Sequence, residues 1–135
     1  MAYKMRVKHL VNDLFLAYSD DGRILIIDAR KDRKYFAPME LMLISSAACT
    51  AIDVLSILKK MRKNVNELTV EVEGWRRDKP PRIYESINLA YMITGEDISM
   101  SDAKKAINLS LSKYCSATIT LERAGAKISY NIKLY

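Results

Sequence analysis

The chain has 135 residues, half of them hydrophobic and 28% charged, with a net charge of +6 and a pI near 9.3. That size and balance suit one globular domain, or one half of an intertwined dimer, and four glycines with three prolines exclude a disordered or low-complexity chain. Two cysteines and a single histidine, His9, cannot complete a four-ligand structural zinc site, and no glycine-rich loop has the spacing that cradles a phosphate.

Three strands open the chain: "YKMRVKHL", "LFLAYSD", and "RILIIDA" after the turn "SDDG", where Gly22 is free to take a positive φ. Charges at Lys4, Arg6 and Lys8 stand where a secretory signal would have its apolar core, so no signal is expected and the protein is read as cytoplasmic. His9 falls on the first strand with nothing nearby to form a triad. A basic stretch, "RKDRKYFA", leads to Pro38, which suits the first turn of a helix because its missing N–H would be unpaired there anyway.

The spacing predicts a helix from about Met39 to Arg62. Leu41, Leu43, Ile44, Ala47, Ala48, Ala51, Ile52, Leu55, Ile57 and Leu58 cover almost its whole circumference, which predicts a central helix buried on most sides. Its uncharged run between Glu40 and Asp53 is too short to cross a bilayer. The basic clusters "KKMRK" (59–63) and "RRDKPPR" (76–82) fall at a helix C-terminus and in a turn. Cations there complement the helix dipole, so a solvated face is preferred to a nucleic-acid surface.

In "ELTVEVEG" and "RIYESINLAYMIT", Leu68, Val70 and Val72, then Ile83, Ile87, Leu89, Tyr91 and Ile93, recur with period two, as in an antiparallel sheet with one wet face. "SMSDAKKAINLSLSKYC" is an amphipathic helix with Ser101 as N-cap and a stripe of Ala103, Ala106, Ile107, Leu111 and Tyr114. Two closing strands, "SATITLE" and "AKISYNIKLY", are expected to meet in a hairpin around Gly125. The order is β-β-β-α-β-β-α-β-β, an α+β arrangement in one domain, 1–135, with N-terminal strands over 1–37, the central helix over 38–63 and an α+β part over 67–135. The N-terminal strands cannot cover both the long helix and their own sheet, which suggests a second copy of the chain.

Cys49 has two readings. A thiol among Ser45, Ser46, Ala48 and Ile52 in a buried helix is inert packing unless something stabilises its anion. Mid-helix the dipole gives no help, and Asp53, four residues on and on the same face, would oppose ionisation. A reactive Cys49 therefore needs an outside cation, and Arg30, Arg33 and Lys34 in the preceding loop are the candidates. Cys115 ends the second helix, where an anion is disfavoured, so its sulfur is expected to stay a thiol.

"PMELMLISSAACTAIDVLSILKKMRK" together with "LSLSKYCSATITL" resembles the OsmC/Ohr family of organic hydroperoxide reductases, in its OsmC-like branch. The likeness covers nearly the whole chain and rests on P-x-E-L, then C-T-A, then the late "KYCS". It implies an OsmC-like fold of antiparallel sheets around a long buried central helix, in an intertwined homodimer. It also implies a thiol-dependent peroxidase in which Cys49 forms a sulfenic acid on a hydroperoxide and Cys115 resolves it as a disulfide. The reductant would be a dithiol such as a lipoylated protein, with no cofactor, no metal, no nucleic acid and no membrane.

Arg30 lies near the family's activating arginine, with Arg33 in reserve. Met39 occupies the place of the family's arginine-holding glutamate, and the acid here is Glu40. Nine residues separate Glu40 from Cys49, about 180° around a straight helix and roughly 13 Å along it, so Glu40 could act only by anchoring an arginine. The alternative is a catalytically weak binding or redox-sensing protein with an apolar pocket.

Overall fold

A computed structural model describes residues 2–135. The elements are β1 (Arg6–Val11), β2 (Leu14–Tyr18), β3 (Ile24–Asp28), α1 (Pro38–Lys60), β4 (Asn64–Arg76), β5 (Tyr84–Glu96), α2 (Met100–Leu109), a π-helical turn (Ser110–Tyr114), α3 (Ser116–Arg123) and β6 (Lys127–Leu134). The chain forms two compact units, one reaching to Met42 and the other Leu43–Tyr135. It is an α+β fold with two three-stranded sheets and three α-helices among the described residues.

In the N-terminal unit, β1-β2-β3 is an antiparallel meander in which Phe15 pairs with both His9 and Ile27. Asn12 supplies the left-handed backbone of the first turn and Gly22 that of the second, as the "SDDG" signal required. Every residue of β1 is exposed, and Val7 and Ile24 are 62% and 69% exposed. The loop after β3 is organised by Asp28. Its fully buried carboxylate accepts from Arg30 Nε and Nη2 (both 2.8 Å) and from the backbone N–H groups of Arg30, Lys34 and Tyr35.

The second unit centres on β5, whose Ile87, Leu89, Tyr91 and Ile93 are buried on alternate positions, with β4 and β6 on either side. Against expectation this sheet is mixed: β4 runs antiparallel to β5, but β6 runs parallel to it. The cause lies in "SATITLE", which forms α3 and not a strand. With helices filling the chain between β5 and β6, the return is a crossover and the next strand enters in the parallel sense. The hairpin expected around Gly125 is replaced by a helix stop. Gly125 has φ +115°, its N–H bonds to Glu122 O, and the Ala126 N–H bonds to Leu121 O. Those two bonds make a Schellman motif.

The N-cap of α2 is Ser99 and not Ser101. Ser99 Oγ accepts from the Asp102 N–H while Asp102 accepts from the Ser99 N–H, each at 3.0 Å, a capping box that needs an acid three residues on. Leu111 and Tyr114, expected on the helical stripe, fall in the π-helical turn, and Tyr114 is half exposed.

Burial on α1 also differs from expectation. Ser46, Ala47, Thr50, Val54 and Leu58 form one buried stripe, whereas Ile52 is 67% exposed and Ile44 and Leu55 are exposed too. Within a single chain the helix is therefore buried along one stripe only. At 23 residues α1 is long and apolar enough by composition to cross a membrane. Its buried stripe, however, carries hydroxyls bonded to Tyr91, Ser110 and Thr118, the pattern of a helix in a protein core.

Candidate functional site

The second unit brings both cysteines together. One sulfur from each, with a carboxylate oxygen of Asp53, lie within 4.8 Å of one another. Cys49 and Asp53 come from successive turns of α1, the i, i+4 spacing that puts two side chains on one face. Cys115 sits at the junction between the π-helical turn and α3, and not before a strand as expected. The wider turn there is closed by the Cys115 N–H bonding to Ser110 O at 2.7 Å, five residues back. Both cysteines are free thiols; Cys49 is half-buried and Cys115 fully buried.

Two lines of hydroxyls frame the pair. Cys115 Sγ donates to Thr118 Oγ1 at 3.0 Å, and Thr118 in turn meets Ser46 Oγ. On the other side Ser110 donates to Asp53 Oδ2 at 2.9 Å, Thr50 contacts Ser110 at 2.8 Å, and Tyr91 contacts Thr50 at 2.8 Å. Ser110 has one hydroxyl proton and directs it at Asp53, so Thr50 donates to Ser110 and Tyr91 to Thr50. The chain of donors is thus polarised towards the carboxylate. Burial pushes the Tyr91 phenol well above its ordinary range, which keeps it a donor.

Burial likewise pushes the Cys115 thiol up to about 11, with the neighbouring Cys49 adding to the rise and Thr118 working against it. It stays protonated at neutral pH, as expected, though desolvation is the leading cause. A cavity of about 320 Å³ has Asp53 in its wall, with Ile57, Met61, Leu109 and Tyr114 but also Ser56, Lys60 and Lys105. This cavity is amphipathic, and its lining includes neither cysteine.

The other two candidate residues lie in the N-terminal unit and do not pair with each other. Arg30 is committed to Asp28, whereas Glu40 accepts from the Ala37 N–H at 2.9 Å and holds Arg33 at 3.4 Å. Glu40 is thereby half of a cap on α1, and the arginine it anchors is the reserve, Arg33. His9 contacts the Asn12 carbonyl and the Phe15 ring in the β1–β2 hairpin. Sequence reasoning gave no site role to Ser46, Thr50, Ser110, Thr118 and Tyr91. The readable signal was the run of small polar residues at 46, 50 and 53 inside an otherwise apolar helix.

The family model described as OsmC-like protein matches residues 31–131. The chain belongs to the OsmC/Ohr family. It is 38% identical over 119 residues to Protein YhfA of Escherichia coli K12, covering 88% of this chain and 89% of that one. The crystal structure of an OsmC like protein from Mycoplasma pneumoniae aligns with a TM-score of 0.81 at 26% identity, over 99% of each chain. An organic hydroperoxide resistance protein from Elizabethkingia anophelis shares the fold, with a TM-score of 0.74 at 15% identity over 100% of this chain and 99% of that one.

Proposed function

We propose that this protein is a thiol-dependent peroxidase for organic hydroperoxides, with Cys49 attacking and Cys115 resolving. The observation that carries the reading is the approach of two free sulfurs, one half-buried and one wholly buried, to within 4.8 Å. The Cys49 thiolate attacks the terminal peroxide oxygen and the O–O bond breaks. The alkoxide leaves, takes a proton and becomes the alcohol, and Cys49 is left as a sulfenic acid. The Cys115 thiol then attacks that sulfur. The hydroxyl departs with the thiol proton as water, and a Cys49–Cys115 disulfide forms. A dithiol, such as a lipoylated protein, exchanges with the disulfide, restores both thiols and is itself oxidised.

The division of roles follows exposure: the substrate can reach Cys49, while Cys115 holds its proton until a partner forms beside it. The 320 Å³ cavity suits a hydroperoxide with an apolar body and a polar end. For the activating cation, Arg33 held by Glu40 is now the better choice and Arg30 the second, because Arg30 is tied to Asp28. Such a cycle requires a reducing compartment, so the cytoplasm is the proposed location.

We further propose a homodimer as the working form. Ile52 and Leu55 on α1, and separately Val7 and Ile24 in the N-terminal unit, leave apolar surface that a second copy would cover. Light scattering at micromolar concentration is expected to give twice the chain mass.

The test is hydroperoxide consumption with cumene hydroperoxide and a dithiol reductant. Cys49→Ser is expected to abolish it. Cys115→Ser is expected to consume one equivalent and stall, as further peroxide drives the unresolved sulfenic acid to the sulfinic state. Arg33→Ala is expected to slow iodoacetamide alkylation of Cys49 severalfold. Two thiols still free after excess hydroperoxide would sink the reading. A second reading, a binding or redox-sensing protein with little turnover, is favoured by Met39 following Pro38 where the resemblance puts an acid. It predicts slow disulfide formation without sustained consumption.

A further inference from the structure

We propose that Cys49, Asp53 and Cys115 form an open three-ligand site for Zn²⁺ when both thiols are reduced, with the fourth position left to water. The donor set is one that zinc takes: two thiolates and one carboxylate, with an open position as in zinc sites that exchange or react. Around a tetrahedral zinc, thiolates bound at about 2.3 Å lie roughly 3.8 Å apart, and a thiolate and a carboxylate oxygen roughly 3.6 Å apart. The three donor atoms are already within 4.8 Å of one another, so a contraction of about 1 Å closes the site. Side-chain rotation can supply that, since two of the ligands share one face of α1 and the third approaches from the start of α3.

The surroundings match a metal site in a second respect. Asp53 is oriented by Ser110 at 2.9 Å, and Ser110 is held through Thr50 by Tyr91, which leaves the carboxylate with a fixed outer partner. Metal ligands characteristically have such outer partners. A divalent ion also removes the conflict built into the cluster, where each negative group opposes ionisation of the next. The two thiolates and carboxylate exceed the ion by one negative charge, and Lys60 and Lys105 stand in the same cavity wall as Asp53 to offset it. That cavity gives the entry path. The two sulfurs select zinc over Mg²⁺ or Ca²⁺, and the carboxylate selects it over Cu⁺.

This inference stands apart from the peroxidase reading, since it needs only the reduced cluster and a disulfide would remove two of the three ligands. The experiment titrates the reduced, metal-free full chain with Co²⁺ as a spectroscopic probe, followed by Zn²⁺. One equivalent of Co²⁺ per chain is expected to produce tetrahedral d–d bands and a thiolate-to-cobalt charge-transfer band, both erased by one equivalent of Zn²⁺. Cys49→Ser, at a half-exposed position that tolerates the change, and Cys115→Ser are each expected to lose the stoichiometric band. Asp53→Asn is expected to keep its fold by circular dichroism and to bind at least about tenfold more weakly. Absence of the band in the wild-type chain, or wild-type affinity in Cys49→Ser or Asp53→Asn, overturns the proposal. Hydroperoxide consumption measured on the same metal-free sample separates the two ideas: zinc binding without consumption sinks only the peroxidase reading, and consumption without zinc binding sinks only this one.

Discussion

Asp28 and Cys115 are both ionisable and both wholly buried, yet the chain holds one charged and the other neutral. Asp28 is saturated: a bidentate guanidinium and three backbone N–H groups converge on two oxygens, and the Arg30 side chain holds its carboxyl far below the ordinary 3.8. Cys115 has a hydroxyl and a distant carbonyl as partners, and burial keeps its proton on. A charge is tolerated inside a fold where donors are fixed around it, as the loop after β3 arranges. A thiol needs no such cage while neutral, and the absence of one around Cys115 leaves it free to react. One site organises a loop; the other keeps a neutral thiol in the core.

The largest expected effect breaks the saturated side. Asp28→Asn removes the charge that Arg30 faces and one acceptor for the loop N–H groups, so amide protection of Ile26 and Ile27 should be lost while β5 stays protected. In the wild type the Asp28 contribution is present in full above pH 3.8 and is lost progressively as pH falls from there towards its much lower folded value. Acid titration of β3 should therefore show no step near the ordinary carboxylate value of 3.8. A step there would mean the carboxyl is not held as described.

Thr50→Val tests the hydroxyl chain beside the thiols. It leaves the Tyr91 O–H without an acceptor and Ser110 without a donor, in a fully buried place, at about 3 kcal/mol by denaturant unfolding. Cys115 itself gives the mirror image of Asp28. Its pKa is raised from 9.0 to about 11, so its contribution is complete below pH 9.0 and lost as pH rises towards 11, about 3 kcal/mol across that window. Cys115→Ser should abolish this alkaline loss, and an unchanged alkaline limb in that variant would show that the thiol is not held neutral by the fold.

The smallest effect lies at the end of α1, where Arg62 adopts φ +61° in a Schellman turn closed by Arg62 N–H to Lys59 O and Lys63 N–H to Leu58 O. Glycine relieves the left-handed strain but adds chain entropy, so Arg62→Gly is expected to stabilise by about 0.5 kcal/mol, read as a small rise in the unfolding midpoint.

Local rules in the sequence determined the N-terminal meander, the extent of α1, the β4–β5 ladder and the face shared by Cys49 and Asp53, since each depends on turn chemistry or a period of a few residues. Even the misread segment carried its own signal. In "SATITLERAG" the β-branched Thr118, Ile119 and Thr120 favour a strand, but Gly125 stops a helix as readily as it turns a hairpin, and packing of Thr118 and Leu121 into the core decided for the helix. That choice in turn set the parallel sense of β6. Only the tertiary structure could join Cys115 to Cys49 and leave Ile52 and Leu55 of α1 exposed. Those outcomes depend on which distant surfaces meet, and burial, which no local pattern specifies, then decides which groups keep their protons.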